Sequence, residues 1–505
     1  MRILPSRTFW SACGLPPLWI LRHQGDHCAQ ARQVNVRLAT HPKRCLRCAP
    51  PPHSKRCFLL IAVLVIVVLA SMVALSLLFR MRAEQAAFSA SAGTEQAWCA
   101  AMSGIQQAMH LAKSGSADVN TWQNNPSALR HQQVLDDGSD KWYFSVFTAA
   151  PPEEETVRFG MVDENRKLNL NKATPEMLTA CTSLSPQQIE GITGASLTNT
   201  QSTADPLSMD VILGGPVRPH FSTLDELLKL PGFTPGVIYG EDANHNYHLD
   251  PNEDDGVLLF PPDDSDGQLF LGLQEVATVF AYEFDIAADG SPKFQLNSTN
   301  RTVPEFIIPE QTAAYIEAAW SNKVIFKSPV ELLGATNIAT ADGKTIEMDS
   351  GVGAKELPTI LDQLTTTFEA RLIGLINVNT ASVKVLQTIP GINEAKAELI
   401  VQAREGLSAE LKKSAAWLFS EGVLTAQEFK RAAPHVTVRS QQFRFNVLGY
   451  ALPSGRYRVY EVVIDTADKE PQILYLRDIT RFGLPFALPS AEELEDVQTE
   501  TQNQS

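Results

Sequence analysis

The chain has 505 residues, is 44% hydrophobic and 20% charged, and carries a formal charge of −15. That apolar content excludes a wholly disordered chain. The acidity argues against nucleic acid or anionic lipid as the main partner, because phosphate binding rests on Lys and Arg.

Residues 1–56 hold ten Lys/Arg against one acid, Asp26, so they carry +9 and leave −24 for residues 57–505. They show no apolar period and read as a disordered cytoplasmic leader or an over-long gene start. Cys45-Leu-Arg-Cys48 sits there in a Pro-rich context without a second pair, which favours a solvated tail over a metal site. Residues 57–79, CFLLIAVLVIVVLASMVALSLLF, have no charge and no proline. At 1.5 Å per residue this run spans about 34 Å, enough for a hydrocarbon core of about 30 Å. Lys43, Arg44, Arg47, Lys55 and Arg56 precede it, so the amino end is expected inside and the body exported. A cleaved signal would have an apolar core of about 7–15 residues and a small-x-small site. This run is longer and continues as helix-like sequence to about Lys113. Of seven cysteines, too few for a disulfide scaffold, only Cys99 and Cys181 lie beyond the run. Their pairing is left open.

The exported body is long enough for two or three domains. KWYFSVFT at 141–148 reads as a strand. TVRFGMVDENRKLNL at 156–170 reads as two strand pieces around an Asp163-Glu164-Asn165 turn. Thr174-Pro175-Glu176 opens a helix, and residues 222–230 form another, closed by Pro231-Gly232. Residues 273–297 return to β character, and helices are expected over about 304–403. From His435, VTVRSQQFRFNVLGYAL, YRVYEVVIDTA and PQILYLRDI alternate as strands. The simplest architecture for this order is a sheet interrupted by an insertion.

Residues 242–253 match a calcium loop. Asp242, Asn244, Asn246, Asp250 and Glu253 place oxygens at positions 1, 3, 5, 9 and 12, His248 offers its carbonyl, and Leu249 is the aliphatic residue between. Calcium takes about six to eight hard oxygens, and this spacing wraps one loop around the ion. Tyr247 stands where glycine normally makes the sharp turn. Asp254 and Asp255 are reserve ligands, whereas Asp263, Asp264 and Asp266 have no clean spacing and read as solvated. Ile376-Asn-Val-Asn379-Thr-Ala-Ser382, Ile389-Pro390-Gly391-Ile392 and the following Ala395, Ile400 and Arg404 form a helix-hairpin-helix pattern. Lys384, Lys396 and Arg404 are balanced by Glu394, Glu398 and Glu405, and Asn393 replaces a second glycine, so the hairpin is expected to pack rather than bind phosphate. Leu168-Asn-Leu-Asn171 and Leu224…Pro231-Gly232 resemble partial copies. No enzyme motif is found. Asp342-Gly-Lys-Thr345 lacks the first Walker glycine, and Asp163/Glu164 as a hydrolase pair would point apart.

Together, Lys55-Arg56-Cys57-Phe58, Val162-Asp163-Glu164-Asn165-Arg166-Lys167-Leu168-Asn169-Leu170-Asn171, Leu224-Asp225-Glu226-Leu227-Leu228, Tyr239-Gly240-Glu241-Asp242 and Ile376-Asn377-Val378-Asn379-Thr380-Ala381 resemble the large minor pseudopilin of type II secretion systems, the K subunit, over roughly residues 55–485. The resemblance implies an α+β, pilin-like fold: a long amino-terminal helix on an antiparallel sheet, with a large mainly helical insertion of helix-hairpin-helix or SAM-like type. It implies a non-enzymatic place in the inner membrane, body in the periplasm, at the pseudopilus tip beside I and J minor pseudopilins. It also implies calcium and cleavage by a prepilin peptidase between Cys57 and Phe58, where glycine usually precedes the cut. Ala62, fifth from Phe58, stands where major subunits carry Glu, as in the K family. The expected organisation is 1–56 leader, 57–79 transmembrane helix, 80–171 helix and first strands, 172–434 insertion, 435–489 closing strands and 490–505 disordered tail. The competing reading is a membrane-anchored helix-hairpin-helix DNA receptor of the competence type, which the acidic body disfavours.

Overall fold

The computed structural model describes residues 54–114, 119–150, 157–194, 220–256, 263, 265–298, 308–339 and 345–490, with side chains from Leu59 onward. The leader to residue 53, the Cys45–Cys48 pair, Asp264 and the tail after Ser490 lie outside the described residues. The chain divides into two compact units, Met1–Arg80 and Met81–Ser505.

Helix α1 runs Ser54–Ser114, so helical structure begins just inside the stretch expected to be leader. In the first unit its large side chains from Leu59 to Phe79 are apolar on every face and exposed. A helix that is apolar all round has no polar face to turn to water. This is one helix long and apolar enough to cross a membrane.

In the second unit α1 changes character. Gly93, Ala97, Ala101, Gly104, Ala108 and Ala112 recur every three or four residues, which puts small side chains on one face. That face lies on a six-stranded antiparallel sheet of β1 (Gln132–Asp136), β2 (Lys141–Phe147), β3 (Val162–Asp163), β4 (Gln442–Leu452), β5 (Tyr457–Asp465) and β6 (Gln472–Asp478). The order is β1-β2-β4-β5-β6, and β3 pairs with β4 through Phe443↔Asp163. Ala101, Ile105, Ala108 and Met109 pack on Phe144, Val146, Phe443, Phe445, Val447, Val462 and Ile464. Glycine sets the approach. A Cβ on Gly449 would lie 2.2 Å from the Ala97 carbonyl oxygen, and one on Gly104 would lie 2.8 Å from Val447.

All eleven residues of β4 are buried. Its alternation of Phe443, Phe445 and Val447 with Gln442, Arg444 and Asn446 does not mark a solvent face. The polar set is covered by the insertion, which leaves the sheet after Asp163 and returns at Gln442.

The insertion is wider than 172–434, because short strands just outside those limits pair within it. Three stretches repeat one arrangement. Leu168–Asn169 pairs in parallel with Ala277–Thr278, Phe294–Gln295 with Leu364–Thr365, and Ile376–Asn377 with Val436–Thr437. In each, the next N–H (Leu170, Leu296, Val378) donates to the returning threonine carbonyl. In each, a following asparagine clamps a distant backbone. Asn171 bonds both Phe221 groups, Asn297 bonds both Phe326 groups, and Asn379 donates to the Lys412 carbonyl at 2.9 Å. The returning hydroxyls of Thr278, Thr365 and Thr437 donate to Glu164, Asp285 and Glu283.

Several expectations need correction. Asp163-Glu164-Asn165 is no hairpin turn: Asp163 caps a 3-10 turn, Glu164–Arg166, and the strands on either side pair elsewhere. Residues 222–230 form a 3-10 helix, Leu224–Lys229, which belongs to the first repeat rather than being another copy. The β stretch at 273–297 opens with a helical turn, Leu273–Val276. Helix in 304–403 is broken by strands Asn337–Ala339, Thr345–Glu347 and Arg371–Ile373. The strand expected from His435 splits, and Val436–Thr437 closes the third repeat.

Candidate functional site

The Asp242 loop sits where the insertion meets the sheet. Asn446 of β4 donates to the His245 carbonyl at 2.9 Å, and Tyr247 packs edge-on against Phe147 of β2. Asp242 is fully buried and Glu253 nearly so. The loop closes on its own polar side chains. Asp242 accepts from the N–H groups of Asn246 (3.0 Å) and Tyr247 (3.2 Å), and Glu253 from those of Ala243 (3.0 Å) and Asp250 (3.2 Å). The Asn244 and Asn246 amides converge on Asp250 at 2.6 and 2.9 Å. His248 is exposed, and its N–H donates to Asn246 at 2.7 Å. Tyr247 adopts φ +59° at the position calcium loops give to glycine, a costly conformation for a bulky residue. Burial first, then the Glu253 charge, push the Asp242 carboxyl up to about 7, and burial raises Glu253 as well.

The donor set is hard oxygen, as calcium requires, and the oxygens of Asp242 and Glu253 keep a lone pair beyond the backbone bond each accepts, whereas one Asp250 oxygen already takes both amides. Even so, among the described residues no group of three or more His, Cys, Asp or Glu is gathered tightly enough to hold a metal ion. Asp254 and Asp263 bind backbone N–H groups of Gly267 and of residues 255–256 instead.

Asp163 and Glu164 are buried in separate networks. Asp163 accepts from Asn377 (2.8 Å), Thr380 (2.7 Å), Ser440 (2.8 Å) and the Asn165 N–H (2.9 Å). Burial raises its carboxyl to about 6 against those bonds. Burial would raise Glu164 too, but Arg444 at 3.1 Å and Lys167 at 2.9 Å overcome it and hold the carboxyl well below its usual range. Arg444 also pairs with Glu461 of β5. These acids tie insertion to sheet.

The hairpin comprises helix Val383–Leu386, the Pro390-Gly391 turn and helix Glu394–Gly406. Gly391 takes φ +91°, and its Cβ direction meets Arg431 and the Glu428 carbonyl of helix Ala426–Ala432. Lys396 is held by Glu428 at 3.3 Å and by the Val423 carbonyl at 3.2 Å. Arg404 donates to the carbonyls of Val378 (3.2 Å) and Ala381 (2.6 Å). Both cations thus serve the fold. Cys57 and Phe58 lie within α1, their side chains outside the described residues. Cys99, exposed, and Cys181, buried, are both free thiols.

Sequence reasoning missed the second repeat and the cation network. The signal for the repeat was present: Phe221 and Phe326 are each followed, after four residues, by Glu-Leu-Leu. Glu226 and Glu331 each accept the N–H just after that phenylalanine, both at 3.1 Å.

Compared with known families, residues 373–412 match the helix-hairpin-helix motif. No curated protein matches the chain. The protein is thus a mixed helix and sheet chain with a long amino-terminal helix and a helix-hairpin-helix motif.

Proposed function

We propose that this protein is a non-enzymatic minor pseudopilin of the K type, anchored in the inner membrane with its body in the periplasm. It would sit at the tip of a type II secretion pseudopilus and support its assembly and the export of folded proteins. The observation that carries this reading is α1. One helix begins as an uninterrupted apolar rod and ends as the small-residue face packed on an antiparallel sheet. Such a helix would suit a pilin-like subunit, with a large insertion splitting the sheet between β3 and β4. Partners would be I- and J-type minor pseudopilins stacking by their own apolar helices, and a prepilin peptidase would act at Cys57-Phe58.

The competence-type DNA receptor is favoured by the motif match at 373–412. Against it stand the engaged Lys396 and Arg404 and the −24 charge after residue 56, whereas the Pro390-Gly391 turn itself is exposed. Both readings meet one experiment. The full chain in detergent is co-purified with pilin-like subunits of its own genome and titrated with duplex DNA at low salt. A stable complex with I- and J-type subunits is expected, with weak DNA binding. Tight, salt-sensitive DNA binding and no such complex would reverse the ranking.

Calcium in the Asp242 loop is part of the proposal. Asp242, Asn244, Asn246, Asp250 and Glu253 would hold it, with the His248 carbonyl. A cation there would neutralise two buried carboxylates and fix the loop that docks on β4. An ion at a hundred times its Kd stabilises the folded state by about 2.7 kcal/mol. Chelation is therefore expected to lower the Tm of the full chain by about 5 °C, and Asp242→Ala to abolish that response. A melting curve indifferent to both removes calcium from the account.

A further inference from the structure

Away from the Asp242 loop, the second and third repeats enclose a cleft of about 690 Å³. Leu361, Leu372 and Val438 contribute its apolar wall. Of the carboxylates lining it, Asp285 is matched by Lys293 at 3.2 Å, and Glu283 and Asp362 by Arg439 at 3.2 and 3.3 Å. Glu369 remains. On the cationic side Lys413 is held by Glu410, but Lys172 and Lys327 make no ion pair among the described residues, nor does nearby Lys323. Three lysines without an ion pair thus stand beside Glu369 and Glu331, on a body whose total is strongly negative.

Two apolar side chains stand in water beside it. Ile325 is 76% exposed and Phe368 80%. Both belong to segments that line the cleft: Ile325 lies two residues before Lys327, and Phe368 lies between Thr367 and Glu369. Thr366 joins the segments by donating to the Lys327 carbonyl at 3.0 Å. Along 323–327 the inward residues are Val324 and Phe326, and the outward ones are Lys323, Ile325 and Lys327. Single exposed apolar residues need no explanation, but an aromatic and a β-branched residue flanking a cleft with an apolar wall and lysines that make no ion pair have the make-up of an interface anchor.

We propose that this face docks an acidic segment of a partner polypeptide carrying an aromatic or leucine side chain. Phe368, Ile325 and the cleft wall take the apolar group, while Lys172, Lys323 and Lys327 match the carboxylates. Charge complementarity selects the occupant: a basic segment would be drawn to the acidic remainder of the body, whereas lysines without an ion pair at this cleft can take carboxylates. The assignment stands on this geometry and not on the secretion reading.

The test uses the full chain in phosphatidylcholine nanodiscs and a short fluorescent peptide of alternating Glu and Ser around a central Leu-Phe-Leu, read by anisotropy at low salt. Its counterpart with Lys for Glu is the control. The acidic peptide is expected to bind more tightly, and to weaken about tenfold in Phe368→Ser with Ile325→Ser. Added salt should weaken it too. Lys323→Glu with Lys327→Glu is expected to reverse the preference. These positions are exposed, so melting should stay unchanged, and circular dichroism verifies that. Equal binding of both peptides, unchanged affinity in the apolar variant, or displacement by an oligonucleotide overturns the proposal.

Discussion

Arg444→Met is expected to lower stability by about 3–5 kcal/mol, the usual result of removing one partner of a buried ion pair. Arg444 is the only cation shared by Glu164 and Glu461 among the described residues, and the exposures of those two side chains are 0% and 4%. Methionine fills much of the volume, so the loss reports charge rather than packing. Glu164 would retain Lys167 at 2.9 Å, but among the described residues Glu461 would retain only Arg477 at 3.9 Å. Adding Glu461→Gln should therefore restore part of the loss, and a double-mutant cycle measures the coupling. The measurement is denaturant unfolding of the full chain in detergent. A loss under about 1 kcal/mol, within the range of exposed pairs, would mean that the ionic network does not fasten insertion to sheet.

Gly449→Val is expected to be as damaging by a different route. The added Cβ would lie 2.2 Å from the Ala97 carbonyl and 2.6 Å from the Ala101 nitrogen, both backbone atoms of α1. A flexible side chain could swing aside, but a helix backbone cannot. Overpacking a core costs about 1–3 kcal/mol and occasionally more, and this site has no soft neighbour to absorb it. The variant should lose the packing of Ala97, Ala101 and Ile105 on β4, seen as faster amide exchange in 97–112 while the insertion keeps its protection. Glycine at 406 offers the control: nothing lies within 4 Å of its Cβ position and its φ is not positive. Unchanged exchange in α1 would show that helix and sheet do not approach as described.

The long helix and the interrupted sheet were legible because their signals are local. An apolar run without charge, and alternating strands bounded by turns, depend on little beyond their own residues. The repeats were only half legible. Asn171 and Asn379 stand in visibly similar strings, but their work is to clamp Phe221 and Lys412, 50 and 33 residues away. In the second copy Gln295 replaces the first asparagine, which hides the match. The Asp163-Glu164-Asn165 string looked like a turn because its residues favour solvent. Its burial comes from cations and hydroxyls supplied by Arg444, Thr380 and Ser440, more than two hundred residues away. At the Asp242 loop the spacing of oxygens was legible, and so was the misfit of Tyr247. The left-handed backbone at Tyr247 follows from that position, but its edge-on contact with Phe147 of the sheet was not legible.

Each repeat begins and ends on neighbouring parallel dipeptides, so its two ends lie about 4.8 Å apart, one strand spacing. A segment with adjoining ends can be excised or copied without moving whatever it is spliced into. The insertion is therefore a string of segments with adjoining ends, of which the first and third are also fastened to the sheet through His245 and Asp163.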